Sequence, residues 1–163
     1  MKYETYVSAE EAVKSIRSGQ RVFIHGSAAT PVTLVKALQR RHQELEHVEL
    51  VSITTLGDID FNDPVYSGSF FFNSLFVSAN TRDVVNKGHG DYVPVFLSQI
   101  PKLFRERILK IDVALIQVSV PDDHGYCSMG TSVDIAGSAV DTADHIIALV
   151  NPRMPRTHGD GFI

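Results

Sequence analysis

The densest chemistry in the sequence lies in "VSVPDDHGYCSMGTSVD", residues 118–134. Asp122, Asp123 and His124 are of metal-ligand type. Three adjacent residues converge on one ion only with a turn and with partners from elsewhere, and structural zinc calls for more Cys or His at fixed spacing. No metal is expected there. Cys127 stands three residues from His124, which suggests a nucleophile and its base. Catalytic cysteines usually meet a histidine distant in sequence, in a setting that stabilises the thiolate. The reading that remains is a shaped loop, whose glycines let the backbone approach a ligand or another domain. It makes His124, Gly125, Tyr126, Cys127, Ser128, Met129 and Gly130 candidates for a binding surface or an interdomain cleft.

A second furnished stretch is "HGSAATP", residues 25–31. Gly26 and Ser27 follow a β-rich run, and Thr30-Pro31 has the form of an N-cap and first helical residue. Amide groups and a helix dipole would make this an anion site. An ordinary strand-to-helix turn, the default connection in α/β folds, is the favoured reading. It is neither a Walker A nor a GxGxxG motif, and no lysine is placed to hold a phosphate.

The elements that must position these loops alternate. A capping pair, Ser8 and Glu11, opens a helix that Gly19 stops. "RVFIHG" is a strand, "VTLVKALQRRHQEL" a helix and "VELVSITTL" a strand. Residues 57–73 break the pattern and contain "FFFN", an aromatic run expected in the core. "SANTRDVVNKG" is a short helix, "LSQIPKLFRERIL" a longer one and "IDVALIQVSV" the clearest buried strand. "DIAGSAVDTAD" is a small-residue helix and "HIIALVN" a final strand. Continuous apolar strands alternating with helices predict an α/β fold, an open, mostly parallel sheet with helices on both faces. Ligands in such sheets gather at the carboxyl ends of the strands, where both furnished loops lie.

Composition agrees. The 163 residues are 44% hydrophobic and 21% charged, as expected for one globular domain. A net charge of −4 and a pI of about 5.9 argue against a nucleic-acid partner. No apolar stretch is long enough for a membrane span. A single cysteine precludes an internal disulfide and fits a reducing, cytoplasmic setting. The ending "NPRMPRTHGDGFI" is loop-like and suggests a chain stopped between elements.

"GDYVPVFLSQIPKLF", "IDVALIQVSVPDDHGYCSMGTSVD" and "ALVNPRMPRTHGD", in that order, resemble the N-terminal half of the acetyl-CoA hydrolase/transferase family. That family includes 4-hydroxybutyrate, acetate, butyrate and succinate CoA-transferases. The resemblance implies a CoA-transferase fold of the NagB/RpiA-like kind, built from two related α/β domains with the active site between them. It implies no cofactor beyond coenzyme A as substrate, and acyl-CoA and a short-chain carboxylate as partners. A glutamate would attack the thioester to give an acyl-glutamyl anhydride. The CoA thiolate would then form a glutamyl-CoA thioester, on which the acceptor carboxylate acts. Such intermediates need oxyanion donors and shielding from water.

The family's nucleophile belongs to the second half. Of the seven glutamates here, Glu4, Glu10, Glu11, Glu44, Glu46, Glu49 and Glu106, none sits on a glycine-flanked loop after a strand. No catalytic residue is therefore expected in residues 1–163, which read as an N-terminal domain whose C-terminal partner is absent. An uncovered domain face predicts association into a homo-oligomer. The alternatives are a non-catalytic small-molecule-binding domain, an acyl-CoA hydrolase and a sugar-phosphate isomerase-like enzyme.

Overall fold

The computed structural model describes residues 6–163; Glu4 lies outside them. Among the described residues six strands form one sheet: β1 (Arg21–Ile24), β2 (Val48–Ser52), β3 (Phe70–Ser74), β4 (Gly90–Tyr92), β5 (Val113–Val118) and β6 (His145–Val150). Their order is β4-β3-β2-β1-β5-β6, and every neighbouring pair is parallel. The expected α/β sheet is borne out. Among the described residues five short α-helices accompany it: α1 (Ala9–Ala12), α2 (Val32–Gln39), α3 (Ala79–Asn86), α4 (Ile100–Arg105) and α5 (Ala136–Thr142). Among the described residues no helix is long and apolar enough to cross a membrane.

Period-two alternation sends successive side chains to opposite faces. Val22, Ile24, Leu50, Phe72 and Leu115 lie in one core with the buried residues of α2 and α3, and α1 packs against it. Phe23, Val51, Ala114, Ile116 and Val118 lie in the other core with α4 and α5. From β1 the chain steps outward through β2, β3 and β4. It then returns to place β5 on the other side of β1 and steps the opposite way to β6. Right-handed crossovers in opposite directions require helices on opposite faces, which is the arrangement seen.

Several local readings need correction. Thr30 is not the cap of α2: Pro31 holds that position and the helix begins at Val32. The Thr30 hydroxyl instead donates to the Ser27 carbonyl at 2.8 Å and accepts from the Leu56 amide at 3.1 Å. The helix expected over residues 97–109 is a 3₁₀ turn followed by α4. It ends where Arg107 takes a φ of 56°, a left-handed conformation that no helix continues through. The patternless stretch before β3 is ordered by aromatic packing, not by a helical period. The Phe61 ring meets Phe70 at 5.4 Å, Phe72 at 4.9 Å and Tyr66 at 5.4 Å. Phe70 and Phe72 are buried while Phe71, pointing the other way, is exposed.

At the amino edge, ion pairs hold the strands in register. The Lys110 ammonium bridges Asp112 at 2.7 Å and Asp144 at 2.6 Å. The Arg21 amide donates to Asp112 at 2.8 Å, and its guanidinium meets Glu49 at 2.7 Å. These contacts tie the starts of β1, β2, β5 and β6 together, leaving the opposite edge to the longer loops.

Candidate functional site at the carboxyl edge

The chain reverses its direction of progress between β1 and β5. Open α/β sheets form their ligand crevice at such a point, outside the carboxyl ends of the strands. The two furnished loops follow these two strands, so the fold brings them together.

The residue that joins them is His25, fully buried at the end of β1. Its Nε2 lies 2.6 Å from the Ser132 carbonyl, and its Nδ1 accepts the Gln117 amide at 3.2 Å. A carbonyl accepts and an amide donates, so the ring is neutral with its proton on Nε2. Burial pushes its pKa below 6.5, against the pull of the Ser132 carbonyl and the Asp134 charge. Both nitrogens are engaged by backbone groups, so His25 ties the end of β1 to β5 and to the loop that follows it. It falls within "HGSAATP", yet sequence reasoning passed over it for Gly26 and Ser27. The available signal was a histidine directly following an apolar strand.

Gly26 is buried, and a β-carbon there would lie 3.0 Å from Ile53 Cγ1 and 3.2 Å from the Thr54 carbonyl. Its smallness serves close packing against the extension of β2. Ser27 is half-buried with a φ of 52°, and its amide donates to Thr54 at 2.8 Å. The amides of Ala29, Thr30 and Val32 also donate within this turn. These bonds favour the ordinary strand-to-helix turn over the anion site.

The loop after β5 has a rigid base and an exposed tip. Asp122 Oδ1 accepts the amides of His124 and Tyr126, both at 2.9 Å. Its Oδ2 lies 2.6 Å from Arg156, which also donates to the Tyr126 carbonyl at 3.1 Å. The Arg156 guanidinium stacks 4.8 Å from the Phe162 ring centre. Sequence reasoning missed Arg156 because its partner lies 34 residues away. His124, Gly125 and Tyr126 stand in solvent at the tip, and Cys127 is half-buried.

Ser128 and Met129 are buried. Ser128 Oγ accepts the amides of Gly130 at 3.1 Å and Thr157 at 3.2 Å, and it meets the Thr157 hydroxyl at 3.0 Å. Cys127 and Ile163 exchange amide bonds at 2.9 Å, and the Met129 amide donates to Gly161 at 2.8 Å. Residues 161–163 thus add an antiparallel segment to the loop. Gly130 is buried with a φ of 69° against Met154. The nine candidates therefore divide. His124, Gly125 and Tyr126 face outward, Ser27 and Cys127 are intermediate, and Gly26, Ser128, Met129 and Gly130 support the others from within.

Asp122 gives a pH prediction. Desolvation works to raise its pKa, but the Tyr126 and His124 amides, with the Arg156 charge, hold it below 3.8. A lowered carboxylate pKa adds stability above the unfolded value, and that stability is lost as pH falls through the folded value. In an NMR titration the amide shifts of His124 and Tyr126 should move together, with a midpoint below 3.8. Arg156→Ala should raise that midpoint. Independent titration of the two amides would mean that Asp122 does not hold the tip.

No glutamate reaches this edge among the described residues. Glu10 pairs with Arg40, Glu11 with Lys14, Glu44 with Arg41, Glu49 with Arg21 and Glu106 with Lys102. Glu46 is exposed in the turn before β2. The carboxyl edge presents apolar side chains instead: Leu56, Phe76, Phe96, Val120 and Tyr126 are all exposed, from the loops after β2, β3, β4 and β5.

Comparison with known proteins agrees. The profile of the acetyl-CoA hydrolase/transferase N-terminal domain matches residues 1–163. The succinyl-CoA:acetate/propanoyl-CoA:succinate CoA transferase of Fasciola hepatica is 43% identical over 158 residues, which are 96% of this chain and 33% of the relative. The 4-hydroxybutyrate coenzyme A transferase of Clostridium kluyveri is 43% identical over 160 residues, 98% of this chain and 37% of the relative. Among solved structures, RipA from Yersinia pestis superposes with a TM-score of 0.84 at 29% identity, over 96% of this chain and 39% of RipA. The chain spans about a third of the length of the relatives it matches. The resemblance read from the loop motifs is borne out.

Proposed function

Since the chain belongs to the acetyl-CoA hydrolase/transferase family, matching its N-terminal domain, we propose that it forms one wall of the active site of a CoA-transferase. The intact enzyme moves CoA from an acyl-CoA to a short-chain carboxylate, of the kind named for its relatives. The glutamate that carries the glutamyl-CoA intermediate belongs to the remainder of the enzyme, a C-terminal domain facing the carboxyl edge.

The observation that carries this reading is the edge itself. The loops at the switch-point edge carry exposed apolar side chains, and no glutamate lies there among the described residues. Such a surface shields activated acyl intermediates from water, and shielding separates transfer from hydrolysis. The outward tip of residues 124–126, held by Asp122 and Arg156, is the part of this wall nearest to substrate or to the second domain. Ser27 and Cys127 flank it. The lone cysteine and the acidic balance suit a cytoplasmic enzyme.

The test is CoA exchange between acetyl-CoA and labelled acetate. We expect no exchange by the 163-residue chain once circular dichroism shows it folded, and exchange when the rest of the enzyme is supplied. Exchange by the chain alone would mean that a carboxylate within it is the nucleophile, and the two-part reading would fall.

A further inference from the structure

We infer that Arg156 is a positioning residue that latches the tip of the loop after β5, and so sets how much activated intermediate is lost to water instead of passing to the acceptor. This inference rests on the reading above that the chain walls the site of a CoA-transferase.

The loop is built in two parts. Its base is fixed from several sides. The Ser119 amide donates to the Ser128 carbonyl and the Ser128 amide to the Ser119 hydroxyl, both at 2.9 Å. Thr157, Gly161 and Ile163 bond to residues 127–130 from the end of the chain. The outer part, residues 122–126, is closed on itself. The Asp122 amide donates to the Tyr126 carbonyl at 2.9 Å, and the Gly125 amide to the Asp122 carbonyl at 3.0 Å. Asp122 Oδ1 takes the amides of His124 and Tyr126. A knob of this kind holds its own shape but not its place.

Among the described residues, one side chain from outside the knob forms hydrogen bonds to it, that of Arg156. One guanidinium nitrogen meets Asp122 Oδ2 at 2.6 Å and the other the Tyr126 carbonyl at 3.1 Å, so the fork grips the knob at both ends. The guanidinium rests on the Phe162 ring, and Phe162 pairs with Ser128 in the base. Arg156 thus ties the outer part of the loop to the fixed part. The knob in turn carries Tyr126, exposed, at the same edge as the exposed Val120.

The chemistry makes that tie matter. In transfer, the acceptor carboxylate attacks the glutamyl-CoA carbonyl, the C–S bond breaks, and an anhydride and CoA thiolate form. Water attacking the same carbonyl breaks the same bond but leaves a carboxylate and CoA thiol. One of its protons goes to sulfur and the other to solvent. Both routes share a leaving group, so access to the carbonyl decides between them.

The test uses the intact enzyme. Exchange of labelled acetate into acetyl-CoA and release of free thiol are measured on the same preparation. Arg156→Ala should raise thiol release per exchange event about 10-fold, the shift in a closed–open equilibrium expected from losing a charge-assisted hydrogen bond. Arg156→Lys keeps the charge but cannot grip both ends, and should raise the ratio about 3-fold. An arginine that only supports the fold would lower both rates together and leave the ratio unchanged, which would overturn the inference. If Arg156→Ala misfolds, Arg156→Lys decides alone, and an unchanged ratio again overturns it. A wild-type enzyme that releases thiol without exchanging acetate would sink the transferase reading. The latch would then stand if Arg156→Ala still sped thiol release, and fall if it did not.

Discussion

Replacing His25 with alanine should lower stability by about 3 kcal/mol, or roughly 6–12 °C in melting temperature. The ring is fully buried and satisfies two backbone groups, the Gln117 amide and the Ser132 carbonyl. Alanine leaves both without a partner, and each unmet buried group costs about 1–3 kcal/mol. His25→Gln should recover part of the loss. Its amide nitrogen can stand where Nε2 stands and donate to Ser132, while Gln117 stays unmet. The pH dependence provides a second readout. The folded pKa lies below 6.5, so between the two pKa values the unfolded chain binds more protons than the folded one. Stability must then fall as pH drops from about 7 toward 5. Urea midpoints at those two pH values should show a larger fall in the wild type than in His25→Ala. Identical slopes, with no loss at neutral pH, would show that the histidine is a bystander.

Gly130→Val should be at least as damaging, by about 3–4 kcal/mol. Two faults coincide there. The backbone is left-handed at φ 69°, which a β-branched residue tolerates poorly. A β-carbon would also lie 2.1 Å from Met154 Sδ and 2.8 Å from its Cγ. Met154 is buried and has to leave its seat. The bonds from the Gly130 amide to Ser128 and from Thr157 to the Gly130 carbonyl would go with it. Gly125→Ala is the control. Its φ is 90°, but a β-carbon there meets open space, so only backbone strain of about 1–2 kcal/mol is expected. Chemical denaturation of both variants decides the matter. Equal losses at the two glycines would mean that strain alone matters and that the Met154 seat is unimportant.

The sheet was legible in the sequence because its strands are continuous apolar runs, "VALIQV" above all, bounded by turn residues. The site was legible in place but not in division of labour. Sequence shows that Ser128 and Tyr126 share a loop. It does not show that one faces inward and the other outward, because that depends on Thr157 and Phe162, which approach from the end of the chain. His25 was hidden for a related reason. Its importance lies in carbonyl and amide partners 107 and 92 residues away, and backbone partners leave no mark on residue identity. β4 was missed because three residues beginning with glycine carry no strand pattern. Its pairing depends on Gly90, where a β-carbon would lie 2.6 Å from the Phe72 carbonyl.

The strand order also governs how the molecule comes to be made. β1 sits at the middle of the sheet, yet its partner on one side is β5, with Val22 opposite Val113. A ribosome making this chain finishes β1 through β4 before β5 exists. Until then the flank of "RVFI" that β5 will occupy is open, apolar and able to pair with other chains. Long-range parallel pairing is also slow to form. The nascent four-stranded half is thus the stage most exposed to aggregation, and chaperones that hold emerging chains should act on it before residue 113 appears.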